Sequence, residues 1–253
     1  MPSLNSGRYI GEAIRSVLYQ EHSELELVIQ DGGSGDGTYD IVRSFDDSRI
    51  SWVSETDSGQ SDALNRAIRR TSGDWILWLN ADDKLAEGAF ARVLPHLVSA
   101  EGRFVHGDFG MIDAEGRIVK RYVCSGLTVE RLLRRGAYVF SASVFIHREL
   151  AMAVGDFDPR LDFCMDYDWL LRLAKASEAH YEPGIVAYLR DHAESKGRRR
   201  PWGFWREQWT VSRRHGAPLP SLAVNQAGMA SYLILRRLLW SRLWRQVRPQ
   251  KRL

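Results

Sequence analysis

Only two cysteines, Cys124 and Cys164, occur in 253 residues. That is too few for a disulfide framework or a four-ligand zinc site, so a reducing compartment is the default. No apolar run approaches the ~18 residues of a membrane-spanning helix, which argues against an integral membrane protein. The opening MPSLNSGRYIG has no basic start followed by an apolar stretch, so it does not read as a signal peptide, and the cytoplasm is the expected location. GxxxxGK[ST] and GxGxxG are also absent, as is any convincing Ser-His-Asp or Cys-His set. A P-loop, a dinucleotide fingerprint and covalent nucleophilic catalysis therefore lack support. The composition that remains, 44% hydrophobic and 26% charged, is that of a globular protein.

The net charge of +3 conceals a division. Residues 1–189 carry 20 Lys+Arg against 29 Asp+Glu, whereas residues 190–253 carry 15 against 3. Five of the nine tryptophans, Trp202, Trp205, Trp209, Trp240 and Trp244, fall in this basic tail. An acidic body with a basic, Trp-rich extension points to an anionic partner for the extension alone, a membrane surface rather than nucleic acid. Trp202, Trp205 and Trp209 share one helical face after Pro201. In a second segment Met229, Tyr232, Leu233, Trp240, Leu243, Trp244 and Val247 share an arc opposite Arg237, Arg242, Arg245 and Arg248. The competing expectation is that these helices pack on the body, with the arginines as a solvated rim.

Apolar residues Ile10, Ala13, Ile14, Val17 and Leu18 mark a helix within residues 8–20, and 25–30 reads as a buried strand running into DGGSGDGT. Helical periodicity resumes at 38–45 and 62–70, with a strand at 50–53 between them. A second buried strand, 75–79, runs into NADD. Strands at 104–112, 119–123 and 143–147 and a helix at 165–176 follow. This alternation predicts an α/β fold with a mixed sheet flanked by helices, whose ligands bind beyond the carboxyl ends of the strands. The charge shift divides it into a domain at 1–197 and a helical extension at 198–253. MPSL is too short to supply a buried strand of about five residues, so a first strand is expected upstream of Met1.

Asp31 ends a strand and precedes two glycines, a setting that lets backbone and carboxylate approach a flat ligand such as a nucleobase; alternatively, the loop only caps the next helix through Asp36 and Thr38. The adjacent carboxylates Asp82 and Asp83 repel each other at a strand end, and Mg²⁺ or Mn²⁺ carrying a diphosphate would relieve that; they could equally cap a helix at 87–94. Asp166 and Asp168 stand in the first turn of a helix, where the macrodipole favours carboxylates without any chemistry. Asp166, at the helix start, is the better placed to act as a general base. His192 could be a metal ligand or a phosphate contact.

The ordered succession DGGSGDGT, SETDSGQSDALNRAI, GDWILWLNADD, GDFDPRLDFCMDYDWLLRLA and YLRDHAES resembles the family 2 inverting glycosyltransferases, over roughly residues 1–197. The resemblance implies the GT-A nucleotide-sugar fold and transfer from a nucleotide-diphosphate sugar to a saccharide or lipid-linked hydroxyl, in cell-surface polysaccharide or glycolipid synthesis. Asp31 would hold the nucleobase, with Gly33, Asp57, Gly59 and Asn65 lining the donor pocket. Asp82 and Asp83 would serve ribose and metal-diphosphate, and Asp166 would be the base. Pro2 and Asn5 match the segment that closes the family's first strand and would also bind the donor. Asn80 stands where many relatives carry the first Asp of D-x-D, which puts metal affinity mainly on Asp83. Met165 replaces the first carboxylate of a common Glu-Asp pair, which leaves the base to Asp166. Two other classes compete. A sugar nucleotidyltransferase would need a Gly-rich, basic loop that residues 1–12 lack, and a decayed nucleotide-sugar or membrane-binding protein would not be expected to keep Asp31, Asp82, Asp83 and Asp166.

Overall fold

The computed structural model describes residues 1–22, 24–99, 103–196 and 200–218. The second basic segment, from Met229 to Val247, lies outside them. Helix α1 (Ile10–Leu18) buries the stripe Ile10, Ala13, Ile14, Val17 and Leu18. Strand β2 (Leu27–Asp31) is buried at all five positions, as a strand covered on both faces must be. It lies between β1 (Pro2–Ser3) and β3 (Ile50–Ser54), and all three run parallel. Helix α2 (Thr38–Arg43) crosses from β2 to β3, and α3 (Gln60–Arg70) follows β3. Two residues of a first strand are thus present, Pro2 opposite Gln30 and Ser3 opposite Asp31. The Met1 ammonium is buried and donates to Val28 O at 2.7 Å.

A second, mixed sheet is ordered β4-β8-β6-β9-β5, with β7 beside β6. Its strands are β4 (Trp75–Leu77), β5 (Lys84–Leu85), β6 (Phe104–Ile112), β7 (Ile118–Tyr122), β8 (Val144–His147) and β9 (His180–Arg190). Only β6 and β9 pair in parallel. The helices here are α4 (Ala89–Val98), α5 (Val129–Arg135), α6 (Arg148–Val154), α7 (Met165–Ala176) and α8 (Pro201–Arg214). One apolar core joins both sheets, from Ile14 and Ile29 through Phe104 and Ile146 to Leu170 and Leu173 of α7.

The residue pattern does not announce strand β9, because Pro183 and Gly184 interrupt it. The fold absorbs them in a register shift opposite Asp108, where Gly184 adopts φ +121°. The Asp108 carboxylate accepts from Gly184 N at 3.1 Å, Tyr181 Oη at 2.8 Å and Cys124 N at 2.9 Å, so the side chain satisfies donors that the ladder leaves over.

The charge changes near residue 197, and the described part of the extension, residues 200–218, packs on the domain. Helix α8, just beyond it, is fastened to α7 and its approach loop. Glu207 accepts from the backbone N–H groups of Asp162, Phe163 and Cys164 at 2.7–3.1 Å. Tyr167 Oη meets Ser212 Oγ at 3.0 Å, and His215 meets Asp168 at 2.9 Å. Val211 and Ser212 are buried, whereas Trp202 is 71% exposed. No helix among the described residues is long and apolar enough to cross a membrane.

Candidate active site

The carboxyl end of β2 delivers Asp31 into a ring of donors. Its carboxylate accepts from Gly33 N (3.1 Å), Ser34 N (2.8 Å), Ser34 Oγ (2.5 Å) and Ser54 Oγ (2.7 Å). Burial alone would raise this carboxyl, but the serine and backbone donors outweigh it and hold Asp31 below its ordinary value. Asn5, at φ +48°, completes the loop by donating its N–H to Ser34 Oγ and accepting from Gly35 N. A Cβ on Gly32 would stand 2.8 Å from Asp57 Oδ2, so glycine is what lets β2 and the β3–α3 loop approach. Asp57 in turn accepts from Gly59 N at 2.9 Å. Pro2, Asn5, Asp31, Gly33, Asp57 and Gly59 therefore border one end of the first sheet. Asp36 holds the start of α2 through Thr38 and accepts from Gly7 N at 2.9 Å, so the structural role in this loop falls to Asp36, whereas Asp31 stands at the strand end.

At the turn 80–83 the two carboxylates part. Asp83 is 1% exposed, and accepts from Arg190 N and Asn80 Nδ2, each at 2.8 Å. Burial and the neighbouring Asp82 charge push it well above the usual carboxylate range. Asp82 faces outward, 37% exposed, and its Oδ2 lies 3.0 Å from His192 Nε2. Asp83, on which metal affinity was expected mainly to rest, is turned inward and committed to Arg190 and Asn80, whereas Asp82 faces outward over the buried ring of His192. Arg190 organises this turn. Fully buried, its guanidinium donates to the carbonyls of Asp82 (2.8 Å), Asp113 and Ala114 (3.3 Å each) and to Glu12 Oε2 (2.5 Å), and lies over the Tyr9 ring. Lys84 shares Glu12 at 2.7 Å.

A polar relay ties this turn to the start of α7. Asn80 Oδ1 accepts from Trp78 Nε1 and Gln60 Nε2, and Gln60 Oε1 accepts from Lys196 Nζ, which also reaches Asp162 O. Four residues beyond Asp162, the half-buried Asp166 accepts from Tyr167 N at 2.7 Å, and burial raises its carboxyl to about 6. Asp168 is enclosed by Arg172 (2.9 Å) and His215 (2.9 Å); those partners outweigh its burial and hold it low. The two carboxylates of this helix start thus differ: Asp168 anchors α8, and Asp166 keeps an acidity near neutrality.

Asn65, expected in the donor pocket, is instead buried against the backbone of Phe157, donating to its carbonyl at 3.0 Å and accepting from its N–H at 2.8 Å. Its part is to pin the α6–α7 loop onto α3. Glu12, Gln60, Lys196, Glu207 and Arg190 belong to the site and its supports although no residue pattern assigns them a role. The available signals are Arg190 inside YLRDHAES, two residues before His192, and Gln60 inside SETDSGQSDALNRAI.

Residues 1–148 match the model of Glycosyl transferase family 2. A PGL/p-HBAD biosynthesis glycosyltransferase of Mycobacterium bovis is 29% identical over 187 residues, 68% of this chain and 67% of that one. An uncharacterized glycosyltransferase of Rickettsia felis is 26% identical over 77% of this chain, which spans 34% of that longer protein. Among solved structures, S. aureus TarS 1-349, also determined with UDP-GlcNAc, superposes with TM-score 0.66 at 17–19% identity over 92% of this chain and about 70% of that one. The mannosyltransferase PcManGT of Pyrobaculum calidifontis, in complex with GDP-Man and Mn²⁺, gives 0.62 at 20% identity over 94% of this chain and 78% of that one. Their shared GT-A fold accounts for the parallel first sheet and the mixed second one, and by the family match this chain belongs to the family 2 glycosyltransferases.

Proposed function

We propose that the chain is an inverting, metal-dependent transferase that moves a sugar from a nucleotide-diphosphate donor to a hydroxyl of a saccharide or lipid-linked acceptor. The observation that carries this reading is the separation of its carboxyl groups. Asp31 and Asp168 are held low by donors, while burial raises Asp166 to about 6, near the pH at which a base must accept a proton. Asp166 takes the proton of the acceptor hydroxyl as it attacks the anomeric carbon opposite the leaving diphosphate. Asp31 and the glycines around it receive the nucleobase, and Asp57 and Gly59 line the same end.

Asp82 and His192 would hold Mn²⁺ or Mg²⁺. The residues fit: an outward carboxylate oxygen and an imidazole nitrogen already converge at 3.0 Å, and the Tyr9 hydroxyl, whose ring lies 5.0 Å from the His192 ring, is buried without a partner. When bound, the ion would neutralise charge on the leaving diphosphate. Lys196, linked to the same turn through Gln60 and Asn80, brings a cation of the chain's own.

The relatives named above motivate UDP-GlcNAc and GDP-mannose as the first donors to try. Release of nucleoside diphosphate, with a rise in melting temperature on donor and Mn²⁺ together, supports the reading; no release and no shift with any donor refutes it. Inversion is read from the anomeric configuration of the product. For the extension an anionic membrane surface is the partner, because Trp202 stays exposed and stacks edge-on with Trp205 at 5.3 Å while the opposite side of α8 is docked. Equal recovery in the supernatant with anionic and neutral liposomes refutes that partner.

A further inference from the structure

Among the described residues, one trio of metal-ligating side chains lies outside the donor site: His96 in the last turn of α4, and His180 and Glu182 at the start of β9. Positions 180 and 182 are two apart on a strand, so both side chains leave the same face of the sheet. That is the face on which α4 packs. The ligand atoms of all three lie within 4.8 Å of one another. His96 Nε2 is 2.8 Å from Glu182 Oε2, and the His96 and His180 rings stack with centroids 4.2 Å apart. Side-chain exposures of 32% for His96 and 22% for Glu182, with His180 exposed, place the cluster at the surface and within reach of solvent ions.

We propose that His96, His180 and Glu182 bind a borderline divalent transition-metal cation, Zn²⁺ in the first instance, that clasps helix α4 to strand β9. Two imidazole nitrogens with one carboxylate oxygen form a donor set that suits Zn²⁺, whereas the hard ions wanted at a diphosphate prefer oxygen. Tetrahedral bonds of ~2.05 Å place ligand atoms ~3.4 Å apart. The present spacing therefore needs only small side-chain rotations to close, and water completes the shell. The site is distinct from Asp82 and His192. Eight residues of β9 separate Glu182 from Arg190, up to ~26 Å at ~3.3 Å per residue. The cluster is independent of the donor chemistry proposed above. Its consequence is mechanical, because β9 carries the cluster at one end and Arg190, which organises the 80–83 turn, at the other.

The test uses the full chain stripped with a chelator and titrated with Zn²⁺ by calorimetry, and with Co²⁺ by visible absorption. One Zn²⁺ event, a tetrahedral Co²⁺ spectrum and a melting temperature that rises with Zn²⁺ are expected. His96→Gln and His180→Gln should each weaken binding at least about tenfold, the range seen even for outer-shell changes. His192→Gln should leave this event in place. Glu182→Gln, nearly isosteric, serves if a histidine variant melts early without metal. Absence of Zn²⁺ binding by the wild type overturns the proposal. So does a His96→Gln/His180→Gln double variant that binds Zn²⁺ as the wild type does, or loss of the event in His192→Gln alone.

Discussion

Replacing Asp166 by asparagine separates two consequences of burying one carboxyl. Burial raises the group from 3.8 to about 6. A folded-state value above the unfolded one means that the associated stability is fully present below the unfolded value and is lost as pH rises through the folded one. At ~1.4 kcal/mol per pKa unit the full difference is ~3 kcal/mol, and residual solvent contact brings the working range to ~1–3 kcal/mol. Asparagine cannot ionise, yet its amide oxygen can still accept from Tyr167 N–H, the bond now made at 2.7 Å. Asp166→Asn should therefore be more stable than the wild type at pH 8 by ~1–3 kcal/mol, with the gain shrinking from about pH 6 downward and vanishing below about pH 4. Turnover should fall 10²- to 10⁴-fold, roughly the worth of a general base. Urea unfolding followed by tryptophan fluorescence at pH 4, 6 and 8, alongside nucleoside diphosphate release, reads both. In the wild type, kcat/KM should decline as pH drops through about 6, because the base must be unprotonated. A variant no more stable at pH 8 than at pH 4, relative to wild type, refutes the burial argument. A stabilised variant that still turns over within about tenfold of wild type refutes the base assignment.

Asp82→Asn should weaken Mn²⁺-dependent donor binding at least about tenfold, whereas Asp83→Asn should weaken it less than about tenfold and change stability instead, because a neutral amide relieves a buried charge while turning an N–H toward Asn80; metal titration and urea melts of both variants check the contrast. Arg190→Lys leaves Glu12 and three carbonyls short of donors in a buried place, and should lower stability by ~3–5 kcal/mol in the same melts. Glu207→Gln removes the charge from an acceptor of three backbone N–H groups; a loss of ~1–2 kcal/mol is expected, with kcat reduced more than donor KM, measured by initial rates.

Elements with an uninterrupted period are legible in the residue pattern alone: the α1 stripe, the all-buried β2 and the strand Phe104–Ile112 all follow from it. What is not legible is set by contacts between distant residues. Nothing local distinguishes Asp83, turned inward by a backbone N–H from residue 190, from Asp82, which faces out. Asn65 sits in a segment shared with donor-pocket residues, and only its packing against Phe157 reveals that it serves a loop. Strand β9 is hidden by a Pro-Gly pair that Asp108 makes tolerable from another strand. The charge break at 197 is real as composition, but it carries no information about Glu207 reaching back to the loop before α7 or Ser212 to α7 itself.

The bond between Arg190 and Glu12 spans 178 residues, and the contact between His192 and Asp82 spans 110. Closing a loop of that length costs roughly 5 kcal/mol in chain entropy, and contacts of such separation form late in folding. Strand β9 is also among the last of the described elements to leave the ribosome. The 80–83 turn therefore has no organiser until nearly the whole domain has been synthesised and closed, although Asp31, Asp82 and Asp83 are in place far earlier in the chain. A chain that ends before β9 would carry the acidic residues without the geometry. On this account donor binding should return in the slowest refolding phase, and a half-made chain should be unable to bind or waste nucleotide sugar while it waits for its last strand.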